Sequence, residues 1–449
     1  MSDKGVVKSF LPVIDKWLNF QTYIEEIPSV SVGIFLDDEV IFTKSYGYAN
    51  VKDKTPATPQ TMYRIASHSK VFTSTLIMQL YEQGLLSIDD KINKYLSWLP
   101  PQTSEIRIRH LLTHSSGLTR DFQFGQWFHH NFPNKDEFIS ALNQESTIFE
   151  PNLLFKYSNI AFTLLGFIVE EVSHKSFQQN IMDLTQQLGM KNTIFDYSDE
   201  FGDYHATGYT RKVPHESRQP FDHVQAKSMS SATGLSSNVD DLLLFYQAHF
   251  LGNGKLFSDI YKRDMQQIHF VDSKKNLQWG LGFNHMNISD FHFNGHGGGY
   301  PGFITRSGFD QEKKLIIVAL TNAIDGPALD LFTGIANWIH FAIKNKDKFN
   351  SSNQFPYDAK FNGYYRNNWR ICFLQKVKDV IVLVNPLFPI IDQSINILEQ
   401  TGADTFILPE GSGFDNAGEV LSLHVDNESI FLRQAGENIE KFDIFLISK

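Results

Sequence analysis

The chain has 449 residues with 40 basic and 50 acidic side chains, a formal net charge of −10. At roughly 150 residues per domain this length allows two or three domains, and 42% hydrophobic with 20% charged residues excludes a disordered chain. The acidic balance argues against nucleic acid or an anionic membrane as partner, and the single cysteine, Cys372, excludes a disulfide framework or a multi-cysteine zinc site.

In chain order, Phe10, Leu11, Val13, Ile14, Trp17 and Leu18 recur at helical spacing, interrupted by Lys8, Asp15 and Lys16. A secretory core is an unbroken apolar run and a membrane span needs about 20 apolar residues. The pattern therefore predicts an amphipathic helix in a cytoplasmic protein without a membrane span. Residues 29–35 and 40–46 are β-rich on either side of Asp37-Asp38, which reads as a hairpin. From 67 to 85 the pattern turns helical, with Gly84 marking the end, and a second strong helix runs from 159 to about 173. Strand-like runs at 303–308 and 315–321 flank the charged turn 310–314, and 328–343 reads as a helix behind Pro327. A hairpin at the start and strands near the end of one sheet imply that the chain leaves and returns, with the helical middle inserted between. The polar run 345–353 has no periodicity. Beyond it, short β-type runs at 380–384, 405–408, 420–425, 430–432 and 442–447 suggest a small antiparallel sheet or barrel.

Three motifs carry chemistry. Ser67-His68-Ser69-Lys70 opens the first strong helix, where residues i and i+3 share a face. An amine of depressed pKa beside a hydroxyl can act as its base, and helix N-terminal N–H groups favour a developing anion. Ser69 carries no such role. Tyr157-Ser158-Asn159 precedes the second helix: a phenol can shuttle a proton, and an amide can hold a carbonyl or the lysine. Tyr48-Ala49-Asn50 and Tyr365-Arg366-Asn367 fit the same template, and position selects Tyr157. Gly295-His296-Gly297-Gly298-Gly299-Tyr300-Pro301-Gly302 lets backbone approach a ligand closely and offers N–H groups to an oxyanion. Its G-x-G-x-x-G contains Pro301 and leads into a strand, so it is not a dinucleotide fingerprint.

In this order the motifs resemble the serine β-lactamase and penicillin-binding protein superfamily, whose signatures are S-x-x-K, S/Y-x-N and K-T-G. The stretches from His110 through His114 to Leu118, from Tyr157 to Gly166 and Glu170, at Leu188-Gly189-Met190 with Thr193, and at Thr321-Asn322 are similar to its class C β-lactamase-related branch of β-lactamases, D-alanyl carboxypeptidases, D-aminopeptidases and esterases. The resemblance covers about residues 5–345. It implies that Ser67 is the acylated nucleophile, Lys70 its partner in deprotonation, Tyr157 the acid/base and Asn159 the group that orients the substrate amide. It also implies an oxyanion hole from the N–H groups of Ser67 and Gly299. Here His296-Gly297-Gly298 stands where K-T-G would, so the carboxylate-binding lysine is replaced by a residue of ordinary pKa about 6.5. That predicts a preference for uncharged substrates, with anion binding improving on acidification.

The expected fold is α+β: an antiparallel sheet flanked by helices with a large helical insertion (1–345), a linker (346–353) and a C-terminal β-rich, barrel-like domain (354–449). The expected function is serine acyl hydrolysis of a small ester or amide, or of a short peptide containing a D-amino acid, without metal or organic cofactor. A penicillin-binding carboxypeptidase or weak β-lactamase is the alternative enzyme reading, and a retired scaffold the alternative of another class. Oligomeric state is not legible. His110 and His114 have the i, i+4 spacing of zinc ligands, but Leu111 replaces the glutamate of H-E-x-x-H. Phe122, Phe124, Trp127, Phe128 and Phe132 read as a small core under a loop or as an aromatic wall over the cleft. Asp121 falls near a polar cleft position of the family, too loosely to assign.

Overall fold

Asp37 and Asp38 both take positive φ, +48° and +67°, the two-residue turn whose twist suits a hairpin. They join strand Ser29–Leu36 to strand Glu39–Asn50. The computed structural model describes residues 2–144, 147–350, 355–388, 391–410, 417–427 and 429–444. It divides into two compact units, Ile27–Phe332 and a second made of Met1–Glu26 with Thr333–Lys449.

The first unit is built on a nine-stranded antiparallel sheet. Its order is Thr55–Pro56, Glu39–Asn50, Ser29–Leu36, Leu315–Thr321, Phe303–Asp310, Phe291–Tyr300, Asn284–Ile288, Leu277–Trp279 and Phe270–Asp272. Val30 faces Thr321 and Leu36 faces Leu315, so the chain leaves the sheet and returns beside its own first strand, as the sequence predicts. Both central strands are buried along their whole length, which is why they read as continuous apolar runs rather than alternating ones. The inserted middle supplies helices Ser69–Glu82, Asn159–Ser173 and Val239–Ala248. Phe72 of the first stacks on Phe245 of the last at 3.8 Å. The glycine-rich run lies on strand Phe291–Tyr300 and turns directly into strand Phe303–Asp310, Tyr300 facing Phe303. Strand follows strand there, and no helix N-terminus is available to a phosphate. Helix Ile108–Leu112 stops before His114, whose φ is +56°, so His110 and His114 do not share a helical face.

In the second unit eight antiparallel strands close a barrel: Gly363–Arg366, Ile371–Val377, Val380–Val384, Ile395–Gln400, Thr405–Ile407, Val420–Asp426, Ser429–Gln434 and Glu437–Phe442. Tyr365, Phe373, Leu374, Phe406, Leu421 and Leu432 are among its buried residues. The run read as a strand at 442–447 is displaced: the strand is Glu437–Phe442, and 445–447 lie outside the described residues. Polar alternation at 437–442 hides it, because one face of a small barrel looks to water.

Helix Asp3–Ile24 groups with this barrel and not with the sheet-bearing unit. The Tyr364 hydroxyl donates to Lys16 O at 2.8 Å and accepts from Asn19 Nδ2 at 3.2 Å, while Gln21 Nε2 donates to Pro386 O at 2.8 Å. Phe10 packs on Trp338, Phe341 and Phe349, and Trp17 fills the space where Gly334 would carry a Cβ. The compact division thus falls inside helix Ala328–Lys344, differently from a boundary at 345. Residues 351–353 of the expected linker lie outside the described residues. Among the described residues no helix is long and apolar enough to cross a membrane.

Candidate active site

Ser67 sits in a short 3₁₀ turn, Ala66–His68, that leads into helix Ser69–Glu82. Ala66 holds φ +51°, a left-handed conformation that an L side chain adopts only when its surroundings impose it. Those surroundings are specific. Ser69 Oγ donates to Ala66 O at 2.6 Å and accepts from Leu235 N at 3.0 Å. Strand Phe291–Tyr300 backs onto the turn at Gly298, where a Cβ would stand 2.3 Å from Ile65 O and 2.4 Å from Thr305 Oγ1. Only glycine allows that approach. Ser67 itself remains partly exposed while its neighbours are buried.

Lys70 is fully buried. Its Nζ lies 3.2 Å from Ser67 Oγ, 2.7 Å from Asn159 Oδ1 and 2.7 Å from Ala232 O. Burial pushes this amine well below its ordinary range; Asp121 opposes the shift and Arg120 adds to it. A neutral amine has two N–H donors and one lone pair. The two short contacts are to oxygens that only accept, and the longer one is to a hydroxyl that can donate. With the amine uncharged, as its burial favours, the contacts to Asn159 and Ala232 use both N–H groups and the lone pair is left for the Ser67 hydroxyl.

Tyr157 immediately precedes helix Asn159–Ser173, whose N-cap Ser158 accepts from Ala161 N at 3.0 Å. Burial raises the phenol above its ordinary value, a hydrogen bond with Ser67 and the charge of Arg120 partly offsetting this. Lys70 Nζ stands 4.8 Å from the phenol ring's centroid. His114 lies against the same ring at 4.3 Å, and its Nδ1 accepts from Ser158 N at 3.1 Å. Asn159 is held from both ends: its Oδ1 meets Lys70, and its Nδ2 donates to both Asp121 oxygens, at 2.9 and 3.1 Å.

The third motif is placed less uniformly. Gly298 is pressed against the serine turn, whereas Gly299 is exposed and a Cβ there would meet only Ile304 Cδ1, at 3.5 Å. His296 lies near the other groups, its ring 6.2 Å from Tyr157 and 5.5 Å from Trp279. It is buried, and its Nδ1 is 2.5 Å from Gly297 O. Only a protonated Nδ1 can bond a carbonyl, so Nε2 of the neutral ring is an acceptor. Burial first, then the nearness of Lys70 and His68, which disfavours a further cation, holds His296 well below the ordinary histidine value.

This corrects the expected switch near pH 6.5. A group whose pKa is lowered stays neutral as pH falls through its ordinary value, so acidification brings no cation to position 296. KM for an anionic substrate is expected to follow the same pH curve between about 5.5 and 8 in wild type and H296Q. An improvement below pH 6.5 that disappears in H296Q would restore the switch.

Several participants escaped the sequence. Asp121 was visible but not assignable, because its role rests on reaching Asn159 across the fold. The Ala232 carbonyl has no side-chain signature at all. It is delivered by the turn Ser230–Thr233, held to the serine helix by Thr73 Oγ1 donating to Ser231 O at 2.6 Å and to the second helix by Ser231 Oγ donating to Phe162 O at 3.0 Å. Of the loop aromatics, Phe122 and Phe132 are buried and Trp127 packs edge-on against Phe132, while Phe124 and Phe128 are exposed. The loop is mainly a small core with two rings left at the surface.

The Beta-lactamase family model matches residues 19–336. The chain is 29% identical to penicillin-binding protein 4* of Bacillus subtilis (strain 168) over 300 residues, 63% of this chain and 65% of that protein, so it spans less than two thirds of that relative's length. Its fold is similar to that of the octameric penicillin-binding protein homologue from Pyrococcus abyssi, with a TM-score of 0.67 and 21% identity over 96% of this chain and 100% of the other. It is also similar in fold to the D-amino acid amidase from Ochrobactrum anthropi SV3, with a TM-score of 0.65 and 22% identity over 75% of this chain and 99% of the other.

Proposed function

The chain belongs to the Beta-lactamase family, and from that premise we propose that it is a serine acyl hydrolase working through an acyl-enzyme on Ser67. The observation that carries the reading is the bonding of Lys70, a buried amine with two acceptor-only partners and one hydroxyl. In the proposed cycle Lys70 Nζ takes the Ser67 proton as Oγ attacks the substrate carbonyl carbon. The N–H groups of Ser67 and Gly299 receive the oxyanion. Tyr157, kept protonated by its raised pKa, gives its proton to the departing oxygen or nitrogen, and the carbonyl–leaving-group bond breaks. Water then adds to the acyl-enzyme, losing a proton to the Tyr157 phenolate, and Ser67 Oγ leaves with the proton that Lys70 holds. Asn159 fixes Lys70 and presents its amide to the substrate. Every proton taken is returned within one turnover, and no cofactor enters the scheme.

The proposed substrate is a small ester or amide, with D-amino-acid amides included because a fold neighbour is a D-amino acid amidase. The test is incubation with a fluorophosphonate and with a fluorescent penicillin, followed by peptide mass spectrometry. A panel of p-nitrophenyl esters, D- and L-amino-acid anilides and nitrocefin completes it. The expected result is one adduct, on the peptide containing Ser67, and turnover of an ester or anilide. Absence of any adduct and of any turnover overturns the proposal in favour of a retired scaffold. Nitrocefin hydrolysed faster than every ester and anilide replaces it with a β-lactamase.

A further inference from the structure

The expected lysine of the third motif would have given the cleft a fixed cation, and His296 does not replace it. Its Nδ1 is engaged with Gly297 O at 2.5 Å, and the ring is 4% exposed. Lys70 is buried within the proton-transfer group and is not available to a substrate's charge. A cation nevertheless stands at the mouth. The Arg120 side chain is 65% exposed, and its guanidinium carbon lies 5.8 Å from the centroid of the Tyr157 ring. Its carbonyl accepts from Asn159 N at 2.9 Å, which ties this residue's backbone to the start of the second helix. The backbone from which the charge extends is therefore anchored beside the proposed acid.

The way the guanidinium is engaged points to a ligand. Only its Nε edge meets an acid, 3.4 Å from Asp121 Oδ2. The Asp121 oxygens are shared with Asn159 Nδ2, at 2.9 and 3.1 Å, and with Gln126 Nε2, at 3.3 Å. The two Nη groups have no hydrogen-bond partner among the described residues. That leaves the two Nη groups, which can bind a carboxylate bidentately, on a largely exposed side chain 5.8 Å from the Tyr157 ring. Asp121 opposes an anion here, but its oxygens are directed at Asn159, Gln126 and Nε.

We propose that Arg120 is a specificity residue that reads a carboxylate on the substrate, so that this site prefers anionic esters or amides bound on the Tyr157 side of the cleft. The proposal rests on the hydrolase reading above and reverses the preference for uncharged substrates that His296 alone suggests. Arg120 and His296 both neighbour the Tyr157 ring, at 5.8 and 6.2 Å, so an acid bound by Arg120 is held by a different residue from the one that stands in the third motif.

The experiment compares a neutral p-nitrophenyl ester with its ω-carboxylate analogue in wild type, R120Q and R120K, with KM and kcat measured separately. Loss of a bidentate charged pair is expected to cut the anionic-to-neutral ratio of kcat/KM by about 10- to 100-fold in R120Q. The loss should appear mainly in KM, and R120K should recover part of it. In wild type the ratio should also shrink as salt rises from about 0.05 to about 0.5 M. Arg120 also acts on the Tyr157 and Lys70 charges, so a fall in kcat common to both esters is anticipated, and the ratio removes it. A ratio unchanged in R120Q overturns the role of Arg120. Turnover of the neutral ester alone by wild type also overturns it while leaving the hydrolase reading intact. A wild type inert to both esters overturns both.

Discussion

Ser67→Ala is expected to give a folded protein that takes up no acylating probe and whose kcat is lower by about a millionfold, the scale on which serine enzymes lose activity without their nucleophile. Structure should survive, because Ser67 is partly exposed and its hydroxyl serves Lys70 and Tyr157 rather than the fold. Lys70 keeps both of its 2.7 Å bonds in the variant, and the stability change should stay under about 1 kcal/mol. Thermal unfolding checks that point, and labelling followed by mass spectrometry checks the first. Persistent labelling of S67A would remove Ser67 from the mechanism. Ser69→Ala is an unsuitable control, although the sequence presents Ser69 as indifferent. Its buried hydroxyl bridges Ala66 O and Leu235 N, and losing it takes the acceptor from Leu235 N at a cost of about 1–3 kcal/mol, while Ala66 O keeps the Ser69 N–H.

The second large effect is expected at Tyr157. Replacing it with phenylalanine keeps the ring that lies 4.3 Å from His114 and 4.8 Å from Lys70 Nζ and removes only the hydroxyl. A positioned acid/base group is worth about 100- to 10,000-fold, so turnover should fall by that factor with little change in KM. The pH profile adds an independent readout. Lys70 is lowered and Tyr157 raised. Activity should therefore rise with pH as the amine loses its proton, at a pH below the ordinary lysine value. It should fall only above the ordinary phenol value of about 10. Tyr157→Phe should abolish the alkaline fall and retain the acidic rise. Near-normal rates in Y157F would transfer the acid role to another group.

The elements that position the site were legible where local pattern and tertiary role agree. The helix beginning at Asn159, the return strand Leu315–Thr321 and the Asp37-Asp38 turn all carry signals that the sheet and the core reinforce. Tyr157 was selected over two other matches to its template by its place before that helix. What escaped depends on distance through space. The Asp121–Asn159 bond joins residues 38 apart, and the Lys70–Ala232 bond joins residues 162 apart, the latter through a backbone atom that every residue type shares. The ionisation of His296 escaped for a related reason. An imidazole's pKa is set by burial and by neighbours such as Lys70 and His68, and neither is written beside it in the chain. The strands Gly363–Arg366, Ile371–Val377 and Ile395–Gln400 were missed because their apolar runs are short, cut by Arg366, by Gln375-Lys376 and by Glu399-Gln400.

The pairing of Val30 with Thr321 also governs how the molecule is made. The partners are 321 − 30 = 291 positions apart, so at about 5–20 residues per second a ribosome needs roughly 15 to 60 s to supply the second strand after the first. Throughout that interval the fully buried strand Ser29–Leu36 has a hairpin partner on one side and an open, apolar edge on the other, the kind of edge that recruits strands from other chains. Ser67, Lys70 and Tyr157 are all synthesised before Gly298, so the nucleophile's turn has no backing until the late strands arrive. Reactivity is thereby deferred to the end of synthesis. Truncation before 321 should cost solubility along with activity, because the same missing strands close the sheet's edge and complete the wall behind Ser67.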